Sequence, residues 1–209
     1  MYNIIEKKKI WFIFSGILMA ASIVVLSIWG LRLGIDFTGG SLLEISYSQN
    51  RPDLTTMESS LAEFELESLK VQPAGEHEYI LRFEEIDEDT HQNILNKLQT
   101  EDNQLTENRF EAIGPSIGDE LKTKAIQSIV IVLLFIVIYI AYAFRKVSKP
   151  VASWKYGISA IIALVHDILI ITGIFAVLGY FFKIEIDSLF VTALLTILGF
   201  SIHDTIVTF

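Results

Sequence analysis

The sequence predicts an α-helical membrane protein that carries one small α+β domain outside the membrane. Three observations point there. The 209 residues are 52% hydrophobic, with a mean hydropathy of +0.49. The apolar residues gather in four long runs, where a soluble core would spread them along the chain. Most of the Asp and Glu residues fall in one stretch between the first two runs.

A bilayer core about 30 Å thick takes about 20 apolar residues as a helix. The runs 10–31, 125–144, 156–182 and 188–209 meet or approach that length. The fourth reaches the chain end without a polar flank, which reads as a protein truncated within that span. Lys7, Lys8 and Lys9 precede the first run, as they would a signal peptide. Its apolar core exceeds the roughly 7–15 residues of a signal segment, and Trp29-Gly30-Leu31-Arg32 is a poor cleavage site. It therefore reads as an uncleaved anchor.

Charge sets the expected orientation. Residues 1–9 and the loop 145–155, with Arg145, Lys146, Lys149 and Lys155, are basic and expected to be cytoplasmic. Residues 32–124 and the link 183–187 then lie outside. The net charge of −9 is concentrated in 32–124 and densest from Glu84 to Asp89, which reads as a solvated turn and helix start. Such a surface argues against nucleic acid as a partner. The chain has no cysteine, which excludes disulfides and thiolate metal sites.

The outer stretch is long enough for a small domain. Leu43, Ile45 and Tyr47 alternate as in a strand, and Leu54, Met57, Leu61 and Phe64 follow at helical spacing. Leu69 and Val71 suggest a short strand closed by Pro73-Ala74-Gly75. Tyr79, Leu81 and Phe83 alternate again. Ile94, Leu95 and Leu98 mark a helix face within 90–98, and Phe110, Ala112 and Ile113 a last strand. Strand, helix, strand, strand, helix, strand is the order of the ferredoxin-like split βαβ sandwich. That fold names no function by itself. His77 and His91 stand among polar residues and read as surface histidines. No catalytic or metal-binding set converges here, so neither an enzyme nor a cofactor is expected.

Three motifs remain. Ile35-Asp36-Phe37-Thr38-Gly39-Gly40 follows the first run, and Ile113-Gly114-Pro115-Ser116-Ile117-Gly118 leads toward the second. Each reads as a bend, so Gly/Pro connectors flank the outer domain on both edges. Asp36, Gly39, Gly40, Gly114, Pro115 and Gly118 are candidate joint residues, as hinges or as rigid elbows. The third motif is doubled: His166-Asp167 lies inside the third apolar run and His203-Asp204 inside the fourth. A charged Asp deep in a bilayer costs about 2.5–3.5 kcal/mol on insertion scales, so it points to a proton relay, an ion path or a buried pairing. A carboxyl group in a low dielectric favours its neutral form, which suits it to take up and release protons near neutrality. Helix glue, or contact with water near an interface, is the plainer alternative. Counted along the helix, Asp167 lies about 18 Å from Lys155, and Asp204 about 25 Å from Asp187, nearer the inner face.

Together these motifs resemble the SecF branch of the SecD/SecF family of protein-export membrane proteins. The residues that carry the resemblance are Gly34 to Gly40, Ile113 to Gly118, Ala163 to Asp167 and Gly199 to Val207. The resemblance implies six spans in the whole protein, four of them present here, and a SecD partner of similar, RND-like architecture. It implies work beside the SecYEG channel, and with a YidC-type insertase, in the cytoplasmic (inner) membrane. There the proton gradient would help draw unfolded secreted polypeptides outward after the SecA motor has pushed them. It makes Asp204 the protonatable carboxylate and Gly39 and Gly40 part of a moving joint. His203 departs from the Asn that the family often has at that position, which opens a role in tuning or relaying for Asp204. An RND-like exporter of small apolar compounds or lipids, and a non-transporting membrane scaffold, are the competing readings.

Overall fold

The computed structural model describes residues 8–99, 104–145 and 153–208, the side chains of 153, 154 and 208 aside. Lys7, Lys146 and Lys149, which helped to orient the chain, and Phe209 lie outside the described residues. The chain divides into two compact units. Residues 34–122 form one, and the segments on either side of them form the other.

The first unit opens with a single helical turn, α2 (Ile35–Thr38), where a plain turn was expected. Thr38 stabilises it by donating its hydroxyl to Gly34 O at 3.0 Å. The elements then run β1 (Gly40–Tyr47), α3 (Leu54–Leu61) with a 3-10 turn to Phe64, β2 (Lys70–Ala74), β3 (Glu78–Phe83), α4 (Glu88–Leu98) and β4 (Leu105–Ile113). The four strands make one antiparallel sheet in the order β2-β3-β1-β4. Pro73 lies inside β2, which a missing amide donor permits because β2 is an edge strand. The polar residues Thr106 to Arg109 extend β4 well beyond its apolar end. A bulge at Glu44/Ile45 takes up the extra residue, Asn108.

The two sequence periods meet in one core. Leu43, Ile45 and Tyr47 of β1 and Tyr79, Leu81 and Phe83 of β3 supply alternate strand residues. Met57 and Leu61 of α3 and Ile94 and Leu98 of α4 supply the helix faces. Burial, and then the nearby Tyr79, pushes the Tyr47 hydroxyl up to about 12. It donates to Leu98 O at 3.4 Å.

His91 corrects an expectation. It is buried, stacked on Phe110 at 3.7 Å between ring centres, with Nδ1 3.3 Å from Glu88 and Nε2 3.5 Å from Glu107. The cause is helical phase. His91 lies three residues before Ile94 and seven before Leu98, so it shares their inward face although its sequence neighbours are polar.

Both longer helices of this unit are capped by aspartate. Asp53 accepts from Thr56 N at 3.3 Å and Asp87 from Thr90 N at 2.9 Å. Hydrogen bonds from Thr56 and then Thr55 hold the Asp53 carboxyl below its ordinary range, and Thr90 does the same for Asp87. A depressed carboxyl contributes stability that is present above the unfolded value, near 3.9, and lost as pH falls through the folded one. The thermal midpoint of this unit is therefore expected to fall on acidification below about pH 4. Asp53→Asn/Asp87→Asn, which keeps both caps without a titrating group, should flatten that part of the profile. Circular dichroism melts across pH measure it.

In the second unit α1 (Lys8–Trp29), α5 (Pro115–Ala143), α6 (Ser153–Phe182) and α7 (Ser188–Thr208) are long and apolar enough to cross a membrane by length and composition. The opening turns of α5 belong to the first unit. α5 starts about ten residues before the apolar run, because Pro115 suits the first helical position and Ser116 to Lys124 continue the helix with polar residues. α1 packs on α6, and α6 on α7. Ile140, Ala160, Leu164, Leu198 and Ile202 bury one another where α5, α6 and α7 meet. Phe12, Phe135 and Phe200 point outward, as a lipid solvent allows. At the far end of α1, Ile186 N donates to Arg32 O at 2.8 Å and Arg32 pairs with Glu185 at 3.1 Å.

Candidate functional site

Successive residues of an α-helix project about 100° apart, so an adjacent polar pair can serve two neighbouring helices. His166 and Asp167 of α6 do so. His166 Nε2 lies 2.6 Å from Ser15 Oγ of α1. His166 Nδ1 lies 2.9 Å from Asp167 Oδ1, and Ser201 Oγ of α7 donates to Asp167 Oδ2 at 2.5 Å. Ser15, His166, Asp167 and Ser201 thus form one hydrogen-bonded chain through three apolar helices. Both titratable side chains are half-buried.

The chain has a consistent donor order. With Asp167 as carboxylate it accepts from His166 Nδ1–H and from the Ser201 hydroxyl. His166 Nε2 is then an acceptor and takes the Ser15 hydroxyl hydrogen. Every polar group in the chain is paired, which a low-dielectric setting demands. The set also has a place for one more proton, on His166 Nε2, once the Ser15 hydroxyl turns away.

The second His-Asp pair is placed differently. His203 Nδ1 is 3.7 Å from Asp204 Oδ1, and their side chains are 76% and 87% exposed. Asp204 stands three residues beyond Ser201 on α7, about 4.5 Å along the axis. Of the four candidate relay residues, His166 and Asp167 are brought together with partners from other helices, while His203 and Asp204 lie beside each other at the surface of α7. The sequence reading missed Ser15 and Ser201. Their signal was a hydroxyl inside an apolar run, which becomes specific only once the helices are paired.

The candidate joint residues also converge, within the first unit. Gly39 (φ +72) and Gly40 (φ +114) adopt backbone conformations that side chains resist. A Cβ on Gly39 would lie 2.8 Å from Pro115 Cα, and one on Gly118 would lie 2.8 Å from Gly39 N. One on Gly40 would lie 2.7 Å from Phe83 O. Only Gly114 lies outside a regular element in the second connector, since Pro115 opens α5 and Gly118 is already helical. Gly114 faces the Glu85 carboxylate, and Asp36 sits in the turn of α2. Among the described residues no three His, Cys, Asp or Glu side chains are grouped to hold a metal ion.

Comparison with known proteins gives this geometry a context. The family model "Protein export membrane protein SecD/SecF, C-terminal" matches residues 93–209, more than half of the chain. The chain belongs to the SecD/SecF family. A second model, "SecD/SecF GG Motif", matches residues 25–50, which take in Gly39-Gly40. The protein translocase subunit SecF of Thermobaculum terrenum is 38% identical over all of this chain and 68% of its own length. The SecF subunit of Anaerolinea thermophila is 34% identical with the same coverage. A crystal structure of SecDF from Thermus thermophilus, described as a translocon-associated membrane protein, shares the fold. Its TM-score is 0.78 at 24% identity, over 97% of this chain and 26% of that one. With four apolar helices among the described residues, this SecD/SecF family member is a multi-pass membrane protein.

Proposed function

We propose that this chain is part of an accessory subunit of the Sec protein translocase that pairs with SecD and uses the proton gradient to help move secreted polypeptides outward. SecYEG is its channel partner, and a YidC-type insertase is a further one. The observation that carries the reading is the bonding of His166-Asp167 to α7 inside apolar helices, in a chain of this family. An ionisable pair kept there at the cost of membrane insertion is the mark of a proton path. Asp204, exposed, is the entry carboxylate. Ser201, three residues before it on α7, bonds Asp167. His203 is its neighbouring relay group.

The four apolar helices are spans in the cytoplasmic membrane, with the N-terminus inside and residues 32–124 outside. The strand order β2-β3-β1-β4, with both helices packed into one core, supports a ferredoxin-like fold for that outer domain. The glycine contacts are the joint through which it moves.

The test is transport of a secreted precursor into inverted membrane vesicles that contain the complete subunit, with and without a protonophore. Asp204→Asn is expected to reduce transport to the protonophore-treated level, and the protonophore should then add nothing. Wild-type transport by Asp204→Asn under an intact gradient would overturn its role as carrier.

A further inference from the structure

Two helices that run parallel and meet once every two turns repeat their contacts every seven residues. α1 and α6 meet in this way at three levels. Ser15 bonds His166 at 2.6 Å. Seven residues on in both helices, Ser22 packs on Gly173, where any Cβ would strike the serine side chain. Seven further in both, Trp29 stacks on Tyr180 at 4.3 Å between ring centres and 7° between planes. The register is the same at each level. Gly173 lets the helices close, and the aromatic stack holds their ends together. Ser15 is therefore set opposite His166 by the whole seam.

We infer that Ser15 is a positioning residue of the proton site and makes α1 the helix whose contact changes when a proton arrives. The inference rests on the proton-path reading above. In the resting chain the Ser15 hydroxyl donates to His166 Nε2, which holds the imidazole as its Nδ1–H tautomer and turns that N–H toward Asp167. A proton taken up from the gradient goes to Nε2. No covalent bond breaks, but the hydrogen bond that Ser15 donated to Nε2 is lost, and the imidazolium then donates from both nitrogens. Nε2–H points at Ser15 Oγ, so the serine reverses from donor to acceptor. Its own hydrogen must find another acceptor, and the carbonyl four residues earlier in the helix is the available kind. Ser27 already makes that bond in α1, donating to Ile23 O at 2.7 Å. The new cation sits against the Asp167 carboxylate, so the apolar helices carry a paired charge and not a lone one. α1 brings no titratable residue between Lys9 and its end, and α7 brings Ser201 with His203 and Asp204 beyond it. Proton occupancy is thus read on the α1 side as a reversed hydrogen bond. By chain connection α1 leads on to Gly39-Gly40.

Nitrogen-15 NMR of histidine-labelled protein in lipid nanodiscs reports the tautomer directly. In the complete subunit, His166 is expected as the Nδ1–H form with Nε2 unprotonated. Ser15→Ala should lower the ratio of Nδ1–H to Nε2–H roughly fivefold, the worth of one ordinary hydrogen bond, and Ser15→Thr should restore it. Gradient-driven transport should follow the same order, with Thr above Ala. An unchanged His166 spectrum in Ser15→Ala overturns the inference, as does a Thr variant that transports no better than Ala. Asp167→Asn separates the two readings. If it abolishes gradient-driven transport while Ser15→Ala does nothing, Ser15 alone loses its role. If Asp167→Asn transports normally, the proton path that the inference rests on has failed.

Discussion

Replacing Asp167 with asparagine is expected to remove most of the gradient-dependent part of transport while leaving the protein folded. Asn has nearly the same shape. Its carbonyl oxygen can accept from His166 Nδ1–H, and its amide can donate to Ser201 Oγ, which accepts as readily as it donates. The helix contacts that Asp167 makes between α6 and α7 therefore survive. The lost property is the ability to offset a charged imidazole and to carry a proton. A positioned acid–base group contributes on the order of 10²–10⁴ to a proton transfer, so the gradient-driven rate should fall by tenfold or more even if other steps limit transport. Asp167→Ala gives the contrasting result. It leaves His166 and Ser201 without their partner, at about 1–3 kcal/mol for each unpaired group, so expression and thermal stability should drop along with transport. Comparing the two variants in one vesicle assay, with melting curves for each, separates proton work from helix glue. If Asp167→Asn transports at the wild-type rate, the pair is glue.

The contrast between the two His-Asp pairs marks the limit of what the sequence carries. Both are legible as costly residues in apolar runs, and they look alike as text. Which of them is bonded across helices depends on pairing: His166 faces Ser15 because α1 and α6 share a register fixed as far away as Gly173 and Trp29. Register between helices separated by the whole of residues 34–122 leaves no trace in either run alone. The strands and helices of residues 34–122 were easier, since periods of 2 and 3.6 residues are local. Its misses have local causes as well. His91 looked exposed because its neighbours are polar, although its phase relative to Ile94 and Leu98 already turned it inward. The polar half of β4 lacked any apolar alternation, and its pairing with β1 alone makes it a strand. The candidate joint was visible as two glycine-bearing connectors, yet neither connector says that the other is its contact.

That contact leads to the second large effect. Gly39 combines φ +72 with ψ 173, a region that is essentially closed to residues with a side chain and costs of order 1–3 kcal/mol to enter. Gly39→Ala adds a collision with Pro115 Cα, and backbone atoms cannot rotate away as a side-chain tip would. Gly118→Ala is the cleaner probe. It sits in a helix, where alanine is the better former by about 1 kcal/mol, so local propensity alone predicts a gain in stability. A Cβ there would meet Gly39 N at 2.8 Å, so the segments must part by several tenths of an ångström or more. Packed backbone gives way poorly, and overpacking of this kind typically costs 1–3 kcal/mol, about the size of the propensity gain or larger. Gly118→Ala should therefore lower the melting temperature of residues 34–122 within the whole chain, against the direction that propensity gives. It should also reduce transport by more than the loss of folded protein explains if the joint has to move. Gly75, whose Cβ would meet nothing within 4 Å but whose φ is +57, is the control for Gly39→Ala: Gly75→Ala carries positive-φ backbone strain without the collision. If Gly118→Ala melts no lower than wild type and transports normally, the close approach of the two connectors has no part in function. If Gly118→Ala alone loses transport, the contact between Gly39 and the first turn of α5 is the joint.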